Sequence, residues 1–138
     1  MRTLFESIKS KVYKVRKVTT TSMKIDKFED IVAWQKANEL TLLIYKTFRS
    51  SKDFGFRDQI QRASVSIMNN IAEGFERRGD KEFKHFLFIA KGSCGEVRSM
   101  LYLALSLEYV TKEQYLKYYA LSTEISRLLS GFIKTLSP

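Results

Sequence analysis

At 138 residues the chain is long enough for a single domain to bury a core, and with one cysteine (Cys94) and one histidine (His85) it excludes an internal disulfide and a Cys/His metal cluster. Its 24 Lys plus Arg against 15 Asp plus Glu give a net charge of +9, so the partners that charge favours are polyanions, nucleic acid before anionic lipid. No run of about 18 apolar residues predicts a membrane span, and the first residues lack the apolar core and small-residue cleavage site of a secretory signal, so a reducing cytoplasm is the expected compartment.

Residues 1–22 carry Arg2, Lys9, Lys11, Lys14, Arg16 and Lys17 against Glu6 alone, six minus one or +5, which leaves nine minus five, +4, for the rest of the chain. Leu4, Phe5, Ile8, Val12 and Val15 recur at helical spacing, and Thr19-Thr20-Thr21-Ser22 closes the segment as a linker. Two readings stay open: a basic arm for nucleic acid, or an extension ahead of an effective start at Met23. The predicted organisation is a basic N-terminal extension over 1–22 and one helical domain over 23–138.

Four helices follow. The first is predicted from Glu29 to Phe48, with Trp34, Ala37, Thr41, Ile44, Tyr45 and Phe48 on one face at spacings of three and four. The second runs from Arg57 to Arg77 on a stripe of Ile60, Ser64, Ile67, Ile71 and Phe75. The third, from Lys81 to Tyr109, follows Asp80 as N-cap and carries Phe83, Phe86, Leu87, Ala90, Cys94, Val97, Leu101 and Ala104. The fourth opens on the capping box Thr111-Lys112-Glu113-Gln114 and carries a stripe of Tyr118, Leu121, Ile125, Leu128, Leu129, Phe132 and Leu136. The connections (Ser50 to Phe56, Arg78-Gly79-Asp80, Val110-Thr111) are short, and short connections make neighbours antiparallel. The expected fold class is all-α, an up-down-up-down antiparallel four-helix bundle.

The third helix has more apolar surface than one core needs. Ile89, Met100, Leu103 and Leu107 lie roughly 90–100° round from the centre of its stripe, and Phe28, Ile31, Leu42 and Leu43 lie off the Trp34 stripe of the first helix. Self-association is the simplest cover, a core closed by the N-terminal segment the alternative. The second helix poses the opposite question. Gln59, Arg62, Ser66, Asn69, Asn70 and Glu73 line its far face, either solvated or forming a hydrogen-bonded seam with Ser93 and Glu96 that fixes register. Arg77, Arg78, Lys81, Lys84, Lys91 and Arg98 cluster from the second turn onward. Lys81, Lys84, Lys91 and Arg98 occupy one strip, which either tracks a phosphate backbone with little sequence preference or solubilises the surface.

Catalysis is not expected. His85 has no nucleophile and orienting acid at motif spacing, and Gly92-Ser93-Cys94-Gly95 lies within helical periodicity without the Lys-Ser/Thr of a phosphate loop. The carboxylate pair Glu73 and Glu96 is the one combination with the hard oxygen chemistry of a metal, and neither metal nor cofactor is predicted.

From Phe28 onward the chain resembles the four-helix proteins encoded in intervening sequences of bacterial 23S ribosomal RNA genes. The residues that carry the resemblance are Phe28-Glu29-Asp30-Ile31-Val32-Ala33-Trp34-Gln35-Lys36-Ala37, then Gln59-Ile60-Gln61-Arg62-Ala63, Ser66-Ile67, Asn70-Ile71-Ala72-Glu73-Gly74 with Arg77 or Arg78, and Ala90-Lys91-Gly92-Ser93, Glu96 and Tyr109-Val110. The resemblance implies a bundle that assembles as a homo-oligomeric ring, five subunits being the expected number, with no catalytic residues. A related branch is similar to the accessory variability determinants of diversity-generating retroelements, basic rings that bind a reverse transcriptase and its template RNA. Gln59, Arg62, Ser66, Asn70, Glu73, Ser93 and Glu96 match its polar positions. The departure is Met1 to Ser22, which the common pattern lacks.

Overall fold

The computed structural model describes residues 25–138, and the basic segment 1–22 lies outside them. A single 3-10 turn, Phe28–Asp30, precedes four helices: α1 (Val32–Phe48), α2 (Phe54–Glu76), α3 (Asp80–Ser106) and α4 (Lys112–Thr135). Among the described residues there is no strand. Each helix packs on its neighbours in cyclic order, α1 on α2, α2 on α3, α3 on α4 and α4 on α1, and the α2–α3 seam is the most extensive. This is the antiparallel four-helix bundle that the short connections predict.

The helix ends differ from expectation for local reasons. The first helix starts at Val32 and not Glu29, because Ile31 is extended at φ −76°, ψ 120°. The Gln35 side chain donates back to the Glu29 carbonyl at 2.9 Å, so the turn before the helix is held from inside it. The second helix starts at Phe54, capped by Asp53, whose Oδ1 accepts from the Phe56 amide at 3.2 Å. Asp80 is not the cap of α3. Gly79 occupies that position at φ 92°, and the Asp80 carboxylate instead accepts from the Ser137 amide at 2.8 Å. The capping box at Thr111 is formed, with Thr111 Oγ1 accepting from the Gln114 amide at 3.1 Å and Gln114 Oε1 from the Thr111 amide at 2.9 Å.

The third helix stops at Ser106, short of Tyr109. Glu108 sits in the left-handed region at φ 61°, its amide donates to Leu105 at 3.1 Å, and the Tyr109 amide donates to Ala104 at 2.8 Å. This is the reversed C-terminal turn that glycine ordinarily makes, built here on a glutamate.

The core centre is aliphatic. Leu40, Ile44, Ile60, Ile67, Ile71, Leu87, Leu101, Ile125 and Leu129 are fully buried, each contributing about 1.5–3 kcal/mol of burial. Aromatic rings close both ends. Phe56 packs on Phe48 (5.5 Å) and Tyr109 (5.3 Å) at one, and Phe83 on Phe75 (6.0 Å) and Phe132 (5.2 Å) at the other. Near that second end Gly74 is required. A Cβ there would stand 2.6 Å from Phe86 Cβ and 3.0 Å from the Phe83 ring, so α2 and α3 approach where only a hydrogen fits.

Two parts of the expected surface are corrected. Tyr45 is exposed and Trp34 only half-buried, while Ile31, Ala33 and Leu40 fill the core in their place. The apolar arc of α1 is wide on both sides, so periodicity alone left its centre ambiguous. Met100 is 8% exposed and packs inward, whereas Leu42, Ile89, Leu103 and Leu107 stay 40–56% exposed.

Candidate nucleic-acid interface

Two polar surfaces flank α3, one on each side. Toward α2 the side chains converge. Ser66 and Ser93 hydroxyls meet at 2.8 Å, and Asn70 Nδ2 donates to the Ser66 carbonyl at 2.7 Å and to its hydroxyl at 3.0 Å. Further along, Gln59 Nε2 donates to Glu96 Oε2 over a long 3.5 Å. Arg62 completes the wall of an open groove that Gly55, Asp58, Gln59, Ala63, Ser66 and Glu96 also line. Ser93 is buried, Ser66 and Asn70 half-buried, and Gln59, Arg62 and Glu96 exposed, so the seam runs from interior to solvent.

Glu73 does not join this network. It turns along its own helix to Arg77, 2.9 Å away, with both side chains about half exposed. An exposed pair at this spacing contributes at most about 1 kcal/mol. With Glu73 taken by Arg77 and Glu96 by Gln59, the two carboxylates do not share a ligand position. Among the described residues no group of three or more His, Cys, Asp or Glu is placed to hold a metal ion.

The cations divide into two sets. Arg77, Arg78 and Lys81 stand exposed around the α2–α3 turn, with the Arg77 guanidinium lying over the Phe86 ring at 5.2 Å. Lys84, Lys91 and Arg98 are half-buried along the α3 flank that faces α4, where Arg98 Nη1 reaches the Ser122 carbonyl at 3.5 Å. By helical rise the line from Lys84 to Arg98 is about 21 Å long. Among the described residues none of these three has a carboxylate within ion-pair distance; the ion pairs there join Lys36 to Glu124, Arg57 to Asp58 and Arg77 to Glu73.

The single thiol and the single imidazole sit in unlike surroundings, one buried and one exposed. Cys94 lies at the centre of α3, and burial pushes its thiol up to about 12, so it stays protonated at neutral pH. His85 is exposed, with its ring 5.8 Å from that of Phe86.

Two features were not singled out from the sequence. One joins the connections at one end of the bundle: the Tyr109 hydroxyl donates to Asp53 Oδ2 at 2.7 Å. No sequence signal marks that pair, whose members are 56 residues apart. The other is a row of tyrosines, Tyr102, Tyr115 and Tyr119, on the α3–α4 face. Tyr102 follows Arg98 by one turn, so the spacing that groups the cations would have found it.

Residues 29–131 match the family model for the 23S rRNA-intervening sequence protein. No curated protein matches the chain. Among solved structures, a crystal structure of a protein of unknown function from the S23 ribosomal protein family of Bacteroides thetaiotaomicron superposes with a TM-score of 0.70 at 34% identity, over 75% of this chain and 99% of that one. The match covers the first three helices and most of the fourth, includes both flanks of α3, and the chain belongs to the family of 23S rRNA-intervening sequence proteins.

Proposed function

We propose that the chain is a non-catalytic nucleic-acid-binding protein that works as a homo-oligomeric ring, with RNA ahead of DNA as ligand. The observation that carries this is the line Lys84, Lys91 and Arg98, three cations without carboxylate partners on a chain of net charge +9. Arg77, Arg78 and Lys81 extend it around the turn. The preference for RNA, the five-subunit ring and a reverse transcriptase as further partner rest on the resemblance to retroelement accessory proteins, and a reverse transcriptase gene beside this chain's own gene would support the last of these. Oligomerisation also rests on Leu42, Ile89, Leu103 and Leu107, large apolar side chains left in water by the isolated subunit. The seam of Gln59, Arg62, Ser66, Asn70, Ser93 and Glu96 then fixes helix register and ring geometry, with Glu73 held beside it by Arg77.

Anisotropy titration with a structured RNA and a duplex DNA at two salt concentrations tests the ligand. Wild type should weaken steeply with salt. In a Lys84→Glu/Lys91→Glu variant, every phosphate left without its cation should lower the slope by about one unit for duplex. Equal binding by that variant and wild type would rule the line out as the binding surface. Loss confined to a chain starting at Met23 would move the function to the basic segment. The same exposed apolar residues favour a second reading, a protein-binding scaffold with no nucleic-acid ligand, which becomes the answer if no form binds at low salt.

A further inference from the structure

The flank of α3 that carries the cations also carries aromatic surface that the fold leaves uncovered. Tyr102 is 65% exposed. It stands four residues after Arg98, and each step from Lys84 to Lys91, Arg98 and Tyr102 departs from whole helical turns by no more than about 40°. From α4, Tyr115 and Tyr119 meet it. The Tyr102 and Tyr115 ring centroids are 6.5 Å apart at 75°, and those of Tyr115 and Tyr119 are 5.3 Å apart at 45°. Tyr115 leans on the core, and Tyr119 is 37% exposed beside Leu116 at 56%. The hydroxyls of Tyr109 and Tyr118 find protein partners, Asp53 and Thr47, but among the described residues those of Tyr102, Tyr115 and Tyr119 do not.

Between Lys84 and Tyr102 the electrostatics of this face are one-signed; Asp80, one turn before Lys84, stands at the end of the line with its carboxylate accepting from the Ser137 amide. On α3, Glu96 is drawn to Gln59 on the α2 side; on α4, Glu124 is drawn to Lys36 on the α1 side. Glu113 shares the face of Glu124 by its spacing of eleven. From Lys84 to Tyr102 the flank measures about 27 Å, the length of about eight stacked nucleotides at about 3.4 Å each.

Cations in a line followed by exposed rings fit one kind of polyanion. A duplex offers phosphates to Lys84, Lys91 and Arg98 but hides the faces of its bases, so the tyrosines add nothing. A single strand offers both, its backbone to the cations and its bases to the rings, and every base has a face to stack. We infer that the α3–α4 face is a stacking platform for single-stranded nucleic acid, with Tyr102 and Tyr119 as the exposed rings and Tyr115 as the ring that holds them in line. This rests on the nucleic-acid reading above and narrows it to unpaired strands. The platform lies across α3 from the Gln59–Glu96 seam, so it remains open when the opposite flank meets a second subunit.

The test is anisotropy with fluorescein-labelled oligouridylate and oligothymidylate of about 12 nucleotides and a duplex of the same length, at low and raised salt. Three proteins are compared: wild type, Tyr102→Ala/Tyr119→Ala, and Tyr102→Phe/Tyr119→Phe, with helical content checked by circular dichroism and mass by light scattering. The alanine variant should lose at least about tenfold in affinity for both single strands. Its salt slope and its duplex affinity should match wild type, because every cation is still in place, and the phenylalanine variant should bind as wild type because the rings remain. Unchanged single-strand affinity in the alanine variant overturns the platform while leaving the phosphate line standing. So does an equal loss for duplex, or a fall in assembly mass, which would mean that the rings seat a second copy of the chain. Failure of wild type to bind any of the three oligonucleotides overturns both this inference and the reading on which it rests.

Discussion

Glu108 marks where a single residue is out of keeping with its backbone. A left-handed conformation brings the β-carbon of an ordinary residue too near its own carbonyl, at a cost of about 1–2 kcal/mol. Glycine carries no such penalty, and the turn's hydrogen bonds use only backbone, so Glu108→Gly should stabilise the fold by about 1 kcal/mol, less the added freedom of the unfolded chain. A higher denaturation midpoint at unchanged slope would show it; a lower midpoint would mean that the glutamate side chain contributes something the geometry does not reveal. Gly74 should respond in the opposite sense. Its missing β-carbon is the space that Phe86 and Phe83 occupy, so Gly74→Ala should destabilise by about 1–3 kcal/mol as the two helices are forced apart.

At the scale of elements, the pair Asp53–Tyr109 ties the α1–α2 connection to the end of α3. The Tyr109 hydroxyl bond, then the Phe56 amide bond, hold the Asp53 carboxyl below its ordinary value, and the same carboxylate holds the Tyr109 hydroxyl above its own. The depressed acid contributes stability that is present above its unfolded value of 3.8 and lost as pH falls through its folded value. The raised phenol contributes stability that is present below its unfolded value of 10.0 and lost as pH rises through its folded value. Tyr109→Phe should therefore lower stability across the neutral range, with the difference from wild type shrinking toward both extremes. Paired denaturation curves across pH measure it, and a difference that is flat with pH would show that the bond is not formed in solution.

The elements themselves were legible because long, proline-free periodic stretches with short connections leave a bundle as the simplest solution. What escaped was what depends on rotation and on distant partners. The arc of α1 is apolar on both sides, so Trp34 and Tyr45 competed with Leu40 and Ala33 for its centre until α2 and α4 fixed the rotation. Asp80 and Asp53 both precede apolar periodicity, and only the backbone of Gly79 decides that one caps and the other does not. The polar residues between α2 and α3 were nameable from spacing, but their pairing was not: that Asn70 turns to Ser66 and Glu73 to Arg77 is a matter of side-chain reach.

For the whole molecule the question is what meets the uncovered surface. Gly92 lies exposed on α3 with nothing within 4 Å of the position a Cβ would take, so the isolated subunit has no use for a glycine there. In a free subunit Gly92→Ala should stabilise by about 1 kcal/mol. If another subunit packs closely on this face, the same change should weaken assembly, and the two outcomes are separated by measuring mass and thermal stability together. Leu103→Glu is the companion test. A carboxylate placed where Leu103 is covered in an assembly should shift the mass toward monomer in light scattering, whereas on a solvent-facing helix it should leave the mass unchanged.

The chain's single thiol lies at the centre of the bundle, where the Ser122 hydroxyl donates to the Cys94 carbonyl at 3.1 Å, so it can serve as a clock. A thiol-reactive dye reaches Cys94 only when α3 and α4 part, and at high dye concentration labelling proceeds at the rate of that opening. Wild-type protein should label in a single slow phase, accelerated by denaturant and slowed by any assembly or ligand that clamps the two helices together. Bound oligonucleotide on the α3–α4 face would thus leave a kinetic record in a residue that it never touches.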